Sequence, residues 1–444
     1  MRNLFMQTRR DFLRAAGAAS IAGSQRPGAP SPNDRLNILA IGLGARGTKI
    51  ALSTAGFGRV VAVCDADSAQ TDAFLEKLAE QQAGKPDIYK DYRKALERKN
   101  IDVVTIGTPD HWHTAILLDA LRTGRDVYCE KPLTLTIDEG KVICKAVQAT
   151  RRVVQVGTQQ RSEMKRMFLK AVAIARAGRL GKKLTATCMI GTHQPGGPFP
   201  VTDPPGTLDW DLWLGQAPKA PYSVQRCHRT FRQWFEYSGG MMTDWGAHHV
   251  DIAQWALGAD NTGPTEIEGQ GELPCGREAT LAMLVRQERL PNCYNTATAF
   301  RITMRFASGD TIIVREGPRN GIEIEGEKSR LFVSRGELTG PAIDQIQESG
   351  KEQAWLEDEV VRLYKGREPT THMNNFRDCV RERSQPISDV FTHQRSVTSC
   401  HLANIALLLG RKLKWDPAAE DFPGDKEARA LLKRERRRPY VIPS

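Results

Sequence analysis

Three glycines in the stretch Gly42-Leu-Gly-Ala-Arg-Gly47 constrain the fold of this chain more than any other feature. An apolar strand pattern over residues 36–42 leads into them, and a helical pattern over 46–55 follows. A glycine triplet alone is a weak signal; the strand before it and the helix after it supply the context that a dinucleotide-binding turn requires. Gly42 permits the tight turn, Gly44 lets backbone approach a pyrophosphate, and Gly47 lets helix pack on strand. Amide groups at the helix start, with Arg46 beside them, then face the phosphate charge. Asp65 ends the next apolar strand, where a carboxylate accepts from adenosine ribose hydroxyls and repels a 2′-phosphate. That favours NAD over NADP, and Asp67 can share the role.

The alternation continues. Strand patterns at 59–64, 101–107, 126–129 and 153–157 are separated by helical patterns at 68–82, 91–99, 111–123 and 137–150. Strands alternating with helices at this spacing give a parallel, doubly wound sheet. Beyond Gly157 the pattern changes. A helix over 161–177, a strand over 184–190 and a Pro/Gly-rich loop over 196–206 precede a region, 266–338, that reads mostly as strands. This is an α+β domain on an open, largely antiparallel sheet, a face suited to dimer or tetramer formation. A late helix is expected over 396–410. The expected division is a signal and linker (1–35), a Rossmann domain (36–158), a substrate and oligomerisation domain (159–415) and a basic tail (416–444).

Two segments close strands at the carboxyl edge of the first sheet, where ligands of open α/β folds bind. In Thr108-Pro109-Asp110-His111-Trp112-His113, Pro109 fixes the exit turn, and Thr108 and His113 are candidate cofactor contacts; a histidine beginning a helix also serves as a cap. One strand later comes Glu130-Lys131-Pro132. A lysine between apolar flanks is costly unless paired, so its charge needs a reason. Near a nicotinamide ring it is a proton partner for a substrate hydroxyl.

The densest constellation lies in residues 239–258, with Asp244, His248, His249 and Asp251 on one helical pattern. Asp244 and His248 stand at i and i+4, so they can share a face and hydrogen-bond. A carboxylate that fixes an imidazole tautomer makes an acid/base pair; the same geometry would suit a metal. His193, Cys227, His228 and His249 follow no zinc spacing, and no metal is expected.

The formal charge of +11 is concentrated at the two ends, where the first 35 residues hold six arginines against two acids. Basic residues are not interleaved with aromatics, so the expected reading is solvated termini and no nucleic-acid partner. No apolar run reaches the length of a membrane-spanning helix. Nine cysteines without a CxxC pair argue against a disulfide scaffold. Thr8-Arg9-Arg10-Asp11-Phe12-Leu13-Arg14, followed by small residues, fits a twin-arginine export signal, which implies the Tat machinery as partner and a periplasmic or extracytoplasmic destination. A protein exported folded carries its cofactor with it, so the NAD is expected to be tightly bound.

The glycine turn, the Thr108–His113 segment, Glu130-Lys131-Pro132-Leu133 and the 239–258 segment together resemble the glucose–fructose oxidoreductase/inositol dehydrogenase/rhizopine catabolism (Gfo/Idh/MocA) family over residues 36–415. The resemblance implies a Rossmann domain, a second α/β domain whose open sheet mediates oligomers, and an NAD(P)-dependent site between them. The family's lysine falls on Lys131 and its Asp-x-x-x-His pair on Asp244 and His248, with His249 an addition. His372-Met-Asn-Asn-Phe376 and His393-Gln-Arg-Ser396 resemble a branch of exported members from bacteria that digest polysaccharides. Arg161 and His193 stand where such members vary and are candidate substrate contacts, as are Arg229, Arg232 and Trp234 in the 227–237 loop and His249. Three functions follow. One is an oxidoreductase acting on a secondary hydroxyl of a sugar, glycoside or cyclitol. Another is a redox-neutral, NAD-dependent glycoside hydrolase or lyase in which C3 of the sugar is transiently oxidised and the glycosidic bond eliminated. The third is a non-catalytic carbohydrate-binding protein.

Overall fold

In a computed structural model that describes residues 35–442, six strands form the first sheet: β1 (Leu36–Ile41), β2 (Gly58–Cys64), β3 (Asp87–Tyr89), β4 (Val103–Ile106), β5 (Asp126–Cys129) and β6 (Val154–Val156). Their order is β3-β2-β1-β4-β5-β6 and every neighbouring pair is parallel. The strand order reverses between β1 and β4, which opens a cleft at the carboxyl ends of those strands. β4 and β5 are buried at every position, as strands covered by helices on both faces must be. The twin-arginine pattern lies outside the described residues.

Eight strands make the second sheet: β7 (Thr185–Ile190), β8 (Glu266–Glu272), β9 (Ala299–Arg305), β10 (Thr311–Glu316), β11 (Gly321–Glu325), β12 (Arg330–Val333), β13 (Leu338–Thr339) and β14 (Leu413–Lys414). Their order is β13-β12-β11-β7-β10-β9-β8-β14. Only β7 and β10 run parallel; the other pairs are antiparallel. Along β9, Phe300, Ile302 and Met304 are buried while Arg301 and Arg305 are exposed, so one face meets the helical layer and the other is open. A helix, Arg277–Arg286, lies within the region 266–338 that the sequence reads mostly as strands.

The helix Val390–Leu409 is buried over nearly its whole length and starts earlier than residue 396. Asp389 accepts from the amides of Phe391 and Thr392 and so caps it, and Gly410 ends it with a left-handed φ of 64°.

The basic tail is built into the fold rather than solvated. The Asp138 amide donates to the Leu432 carbonyl (3.0 Å), Arg436 pairs with Glu139 (3.2 Å) and Arg437 with Asp211 (2.7 Å). Arg434 is half-buried, donates to the Phe235 carbonyl, and is pushed down to about 10 by burial. Its arginines find carbonyls and carboxylates on segments distant in sequence, a pairing that a charge count cannot reveal.

Four enclosed histidines make stability pH-dependent. Burial pushes His111, His249 and His372 down to about 4 and His401 to about 3. Between an unfolded value near 6.5 and those folded values, the unfolded chain binds more protons, so stability rises with pH. Keeping each ring neutral contributes about 3–5 kcal/mol that is fully present above about pH 6.5 and lost as pH falls through 4, and through 3 for His401. Tm measured at constant ionic strength is expected to fall steeply from pH 7 to pH 4.5; a flat profile would contradict this burial.

Candidate active site

The glycine turn abuts the end of β4. A Cβ on Gly42, whose φ is 80°, would lie 2.5 Å from the Thr108 amide nitrogen, and one on Gly47 would lie 1.7 Å from the Gly42 carbonyl oxygen. Neither position admits a side chain. Gly44 is different: a Cβ there meets only the Gln70 side chain, at 3.9 Å, so the turn's outer surface is open. Gly44 also starts the helix Ala45–Ser53 with no side-chain cap, which leaves its first amides for a ligand. Asp65 accepts from the Leu43 amide (2.6 Å) and the Asp67 amide (2.9 Å), holding its carboxylate against the turn with acceptor capacity to spare. The Thr108 hydroxyl is buried without a partner. An open turn, uncapped amides, an edge carboxylate and an orphan hydroxyl fit a dinucleotide. Gly47→Ala is expected to abolish cofactor retention; cofactor released on denaturing the purified variant measures it, and a full complement would contradict the tight turn.

β5 delivers Glu130, Lys131 and Pro132 to the same edge. Glu130 is buried and pairs with Arg46 of the glycine turn (2.7 Å), with Gln159 donating to it as well (3.0 Å). A Cβ on Gly157 would strike the Glu130 carboxylate at 2.3 Å, so that glycine makes room for it. His113 brackets the two edge segments: Nδ1 lies 2.7 Å from the Pro132 carbonyl and Nε2 3.0 Å from that of Thr108. With both nitrogens committed to backbone, His113 braces the edge instead of contacting a cofactor. Pro109 occupies the N-cap of the helix Asp110–Arg122.

Lys131 reaches the second domain. Its ammonium donates to the Asp244 carbonyl (3.1 Å) and forms an ion pair with the Asp244 carboxylate. Arg232 approaches the same carboxylate at 3.3 Å. Burial resists ionisation of Asp244, but Lys131 and Arg232 outweigh it and hold the acid at about 2. The expected Asp244–His248 hydrogen bond is not formed. The helical pattern divides at Trp245 into Met241–Asp244 and Gly246–Ala256, and the two nearby cations claim the carboxylate. His248 stays within the cluster with its Nδ1 buried and unpartnered. Burial, reinforced by the positive charges of Lys131 and Arg335, pushes its pKa well below the ordinary value, so the ring is neutral at pH 7. Lys131, Asp244, Arg232 and a neutral His248 thus converge where a hydroxyl could give up a proton.

The other candidates separate. Arg161 is buried in a bidentate pair with Asp251, at 2.7 and 2.8 Å, lies 4.6 Å from the Trp255 ring centre, and is unavailable to a substrate. His249 is fully buried between Asn320 (2.7 Å) and Gln160 (3.4 Å). Trp234 is core: its indole donates to the Gln225 carbonyl (2.8 Å) under the Arg226 guanidinium. His193 faces Thr296 (2.8 Å), a residue packed against Gly240, and its other nitrogen lies by the Gln194 carbonyl (3.0 Å). Arg229 is exposed on the turn His228–Gln233. The two later motifs act as supports. His372 meets the Val156 carbonyl (2.8 Å) and Ser162 (3.0 Å), and Ser396 donates to Asp251 (2.9 Å). Arg335, 4.5 Å from the Trp245 ring centre, is missed by sequence reasoning because it sits on a short turn with no motif around it. Among the described residues, no group of three or more His, Cys, Asp and Glu side chains is arranged to hold a metal.

A glycine turn at a parallel-sheet switch point, facing a lysine paired across to a second domain, defines a dinucleotide-dependent redox protein. The chain belongs to the Gfo/Idh/MocA oxidoreductase family: the NAD-binding Rossmann-fold model matches residues 36–158 and the C-terminal alpha/beta-domain model matches 198–442. The latter match takes in the tail. Among curated proteins the chain is 33% identical over 159 residues to a glycosyl hydrolase family 109 protein 1 of a Shewanella species, covering 30% of this chain and 35% of that protein. It is 31% identical over 172 residues to the alpha-N-acetylgalactosaminidase of Shewanella oneidensis, covering 32% and 38%. The matches therefore span little more than a third of those relatives. Solved structures of the same fold include a levoglucosan dehydrogenase in complex with NADH and levoglucosan (TM-score 0.57, 17% identity, 86% of this chain and 99% of that one). The WlbA dehydrogenase of Bordetella pertussis, in complex with NADH and UDP-GlcNAcA, is another (TM-score 0.57, 18% identity, 87% and 99%).

Proposed function

We propose that this protein is an NAD-dependent oxidoreductase acting on a secondary hydroxyl of a sugar, glycoside or cyclitol. The observation that carries the reading is the Lys131 ammonium, held by the Asp244 carbonyl and carboxylate beside a neutral His248. NAD, when bound, supplies the hydride acceptor; Gly42, Gly44, Gly47 and Asp65 would hold it, and the Asp65 carboxylate disfavours the 2′-phosphate of NADP. The chain's own residues manage the proton. His248 accepts it from the substrate hydroxyl, and Lys131 donates a hydrogen bond that stabilises the negative charge developing on that oxygen. Asp244 positions Lys131, and Arg232 keeps Asp244 ionised.

A second reading, redox-neutral glycoside hydrolysis or elimination, is favoured by the curated relatives named above. Two features of the chain agree with it. The twin-arginine pattern supports export, and outside the cytoplasm a dissociating NAD would be lost. A strap from the second domain also crosses the Asp65 edge: the Ser68 amide donates to the Thr207 carbonyl (3.0 Å), Asp209 to that of Ala66 (2.9 Å), and His228 pairs with Asp67 (3.2 Å). Such a strap would slow loss of a dinucleotide. The open face of the second sheet is the proposed dimer or tetramer surface.

The experiment is turnover of the purified holoprotein on a panel of glycosides, sugars and cyclitols in deuterated water. Net NADH with an unmodified glycosidic bond supports the dehydrogenase. Sugar release without net NADH, with solvent deuterium at C2, replaces it with the hydrolase. No turnover on any member of the panel contradicts both.

A further inference from the structure

Two of the nine cysteines stand apart from the rest. Cys64, Cys129, Cys188, Cys227, Cys379 and Cys400 are buried in the core, and Cys144 lies under the Val390 carbonyl. Cys275 and Cys293 are half-buried on the two arms of one excursion from the second sheet. The β8–β9 ladder ends at the pair Glu272–Ala299, where the Thr298 amide still donates to the Glu272 carbonyl (3.0 Å). Past that point the arms remain together: the Cys275 thiol donates to the Tyr294 carbonyl (3.6 Å), next in sequence to Cys293, which brings the two cysteine side chains into one neighbourhood.

Cys293 is held on its far side. The Tyr294 amide donates to the Gly196 carbonyl (3.0 Å), and Gly197 packs so tightly that a Cβ on it would lie 2.6 Å from the Cys293 Cα. The helix Arg277–Arg286 fills the span between the cysteines. The same arm continues into Tyr294, whose ring packs against Phe199, and into Thr296, which meets His193. A bond between the two sulfurs would therefore fix this arm, and with it the wall carrying His193.

We propose that Cys275 and Cys293 form an intramolecular disulfide by exchange with an external low-molecular-weight disulfide. One cysteine thiolate attacks that disulfide, forming a mixed disulfide and releasing one thiol. The second thiolate then attacks the protein-bound sulfur, forming the Cys275–Cys293 bond and releasing the second thiol. The two cysteines are oxidised, the external disulfide is reduced to two thiols, and the protons of the cysteines pass to solvent and the departing thiolates. Oxidising compartments sustain such bonds, and the proposed export would lead to one.

The test uses the full-length holoprotein equilibrated with oxidised glutathione, then denatured, alkylated and mapped by peptide mass. The expected result is a cross-linked pair of peptides containing Cys275 and Cys293, separated by reductant, with slower amide exchange across 277–286 in the oxidised protein. Cys275→Ser and Cys293→Ser, which leave the proposed catalytic groups untouched, should each yield the remaining cysteine as a glutathione adduct without the cross-link. Recovery of both wild-type cysteines as free thiols or as separate glutathione adducts would overturn the proposal. So would a cross-link of either to another cysteine.

Discussion

Lys131→Met is expected to lower turnover by roughly 10²–10⁴-fold while the protein still folds and retains its cofactor. The ammonium lies at the domain boundary with Asp244, its one carboxylate partner among the described residues, on the other side. Removing it does not strand that carboxylate, because Arg232 remains 3.3 Å away. The loss should therefore fall on kcat, with Tm and bound cofactor little changed. Asp244→Asn separates positioning from chemistry: Lys131 keeps its bond to the Asp244 carbonyl (3.1 Å) but loses the ion pair, so a smaller loss with a shifted pH profile is expected. Kinetics on the best substrate of the panel, with cofactor content measured alongside, check both variants. Near-normal kcat for Lys131→Met would remove the lysine from the chemistry.

Arg161→Met is expected to cost about 3–5 kcal/mol of stability, because it leaves Asp251 charged and enclosed. Arg161 and Asp251 are both buried, and burial of the acid is outweighed by Arg161, which holds its pKa far below the usual carboxylate range. Ser396 and the His393 ring, whose Nδ1 lies 3.7 Å from the carboxylate, cannot replace a guanidinium making two bonds. The double variant Arg161→Met/Asp251→Leu should recover much of the loss, since replacing a buried pair with apolar groups is often close to neutral. Urea unfolding of the three variants measures this. A substrate contact would behave differently, with a raised KM and stability changed by no more than about 0.5 kcal/mol.

The contrast between these two positions shows what the sequence makes legible. The Rossmann half is local: apolar strands, a glycine turn with its required context, and edge residues whose place follows from strand order. Gly42, Gly47, Asp65 and Lys131 can be located from that logic alone. The second half depends on pairings across long separations. Arg161 and Asp251 are 90 residues apart, so nothing local distinguishes a buried ion pair from a substrate contact. Asp244 and His248 have ideal helical spacing, yet the helix breaks at Trp245, and a lysine 113 residues earlier takes the carboxylate. The tail arginines read as solvated for the same reason, because their partners lie in other segments. Buried histidines and a tryptophan read as ligands because residue type alone does not record depth.

The function proposed for this site is redox chemistry on a carbohydrate hydroxyl with Lys131 at its centre. Stopped-flow absorbance of the reduced nicotinamide, after mixing NAD-loaded protein with excess substrate, tests it most directly. The band is expected to appear in the first turnover of the wild type and either to persist or to decay as product forms. In Lys131→Met it should rise at least a hundredfold more slowly. Product formed by the wild type with no such band at any time, or a band rising equally fast in both proteins, would contradict it.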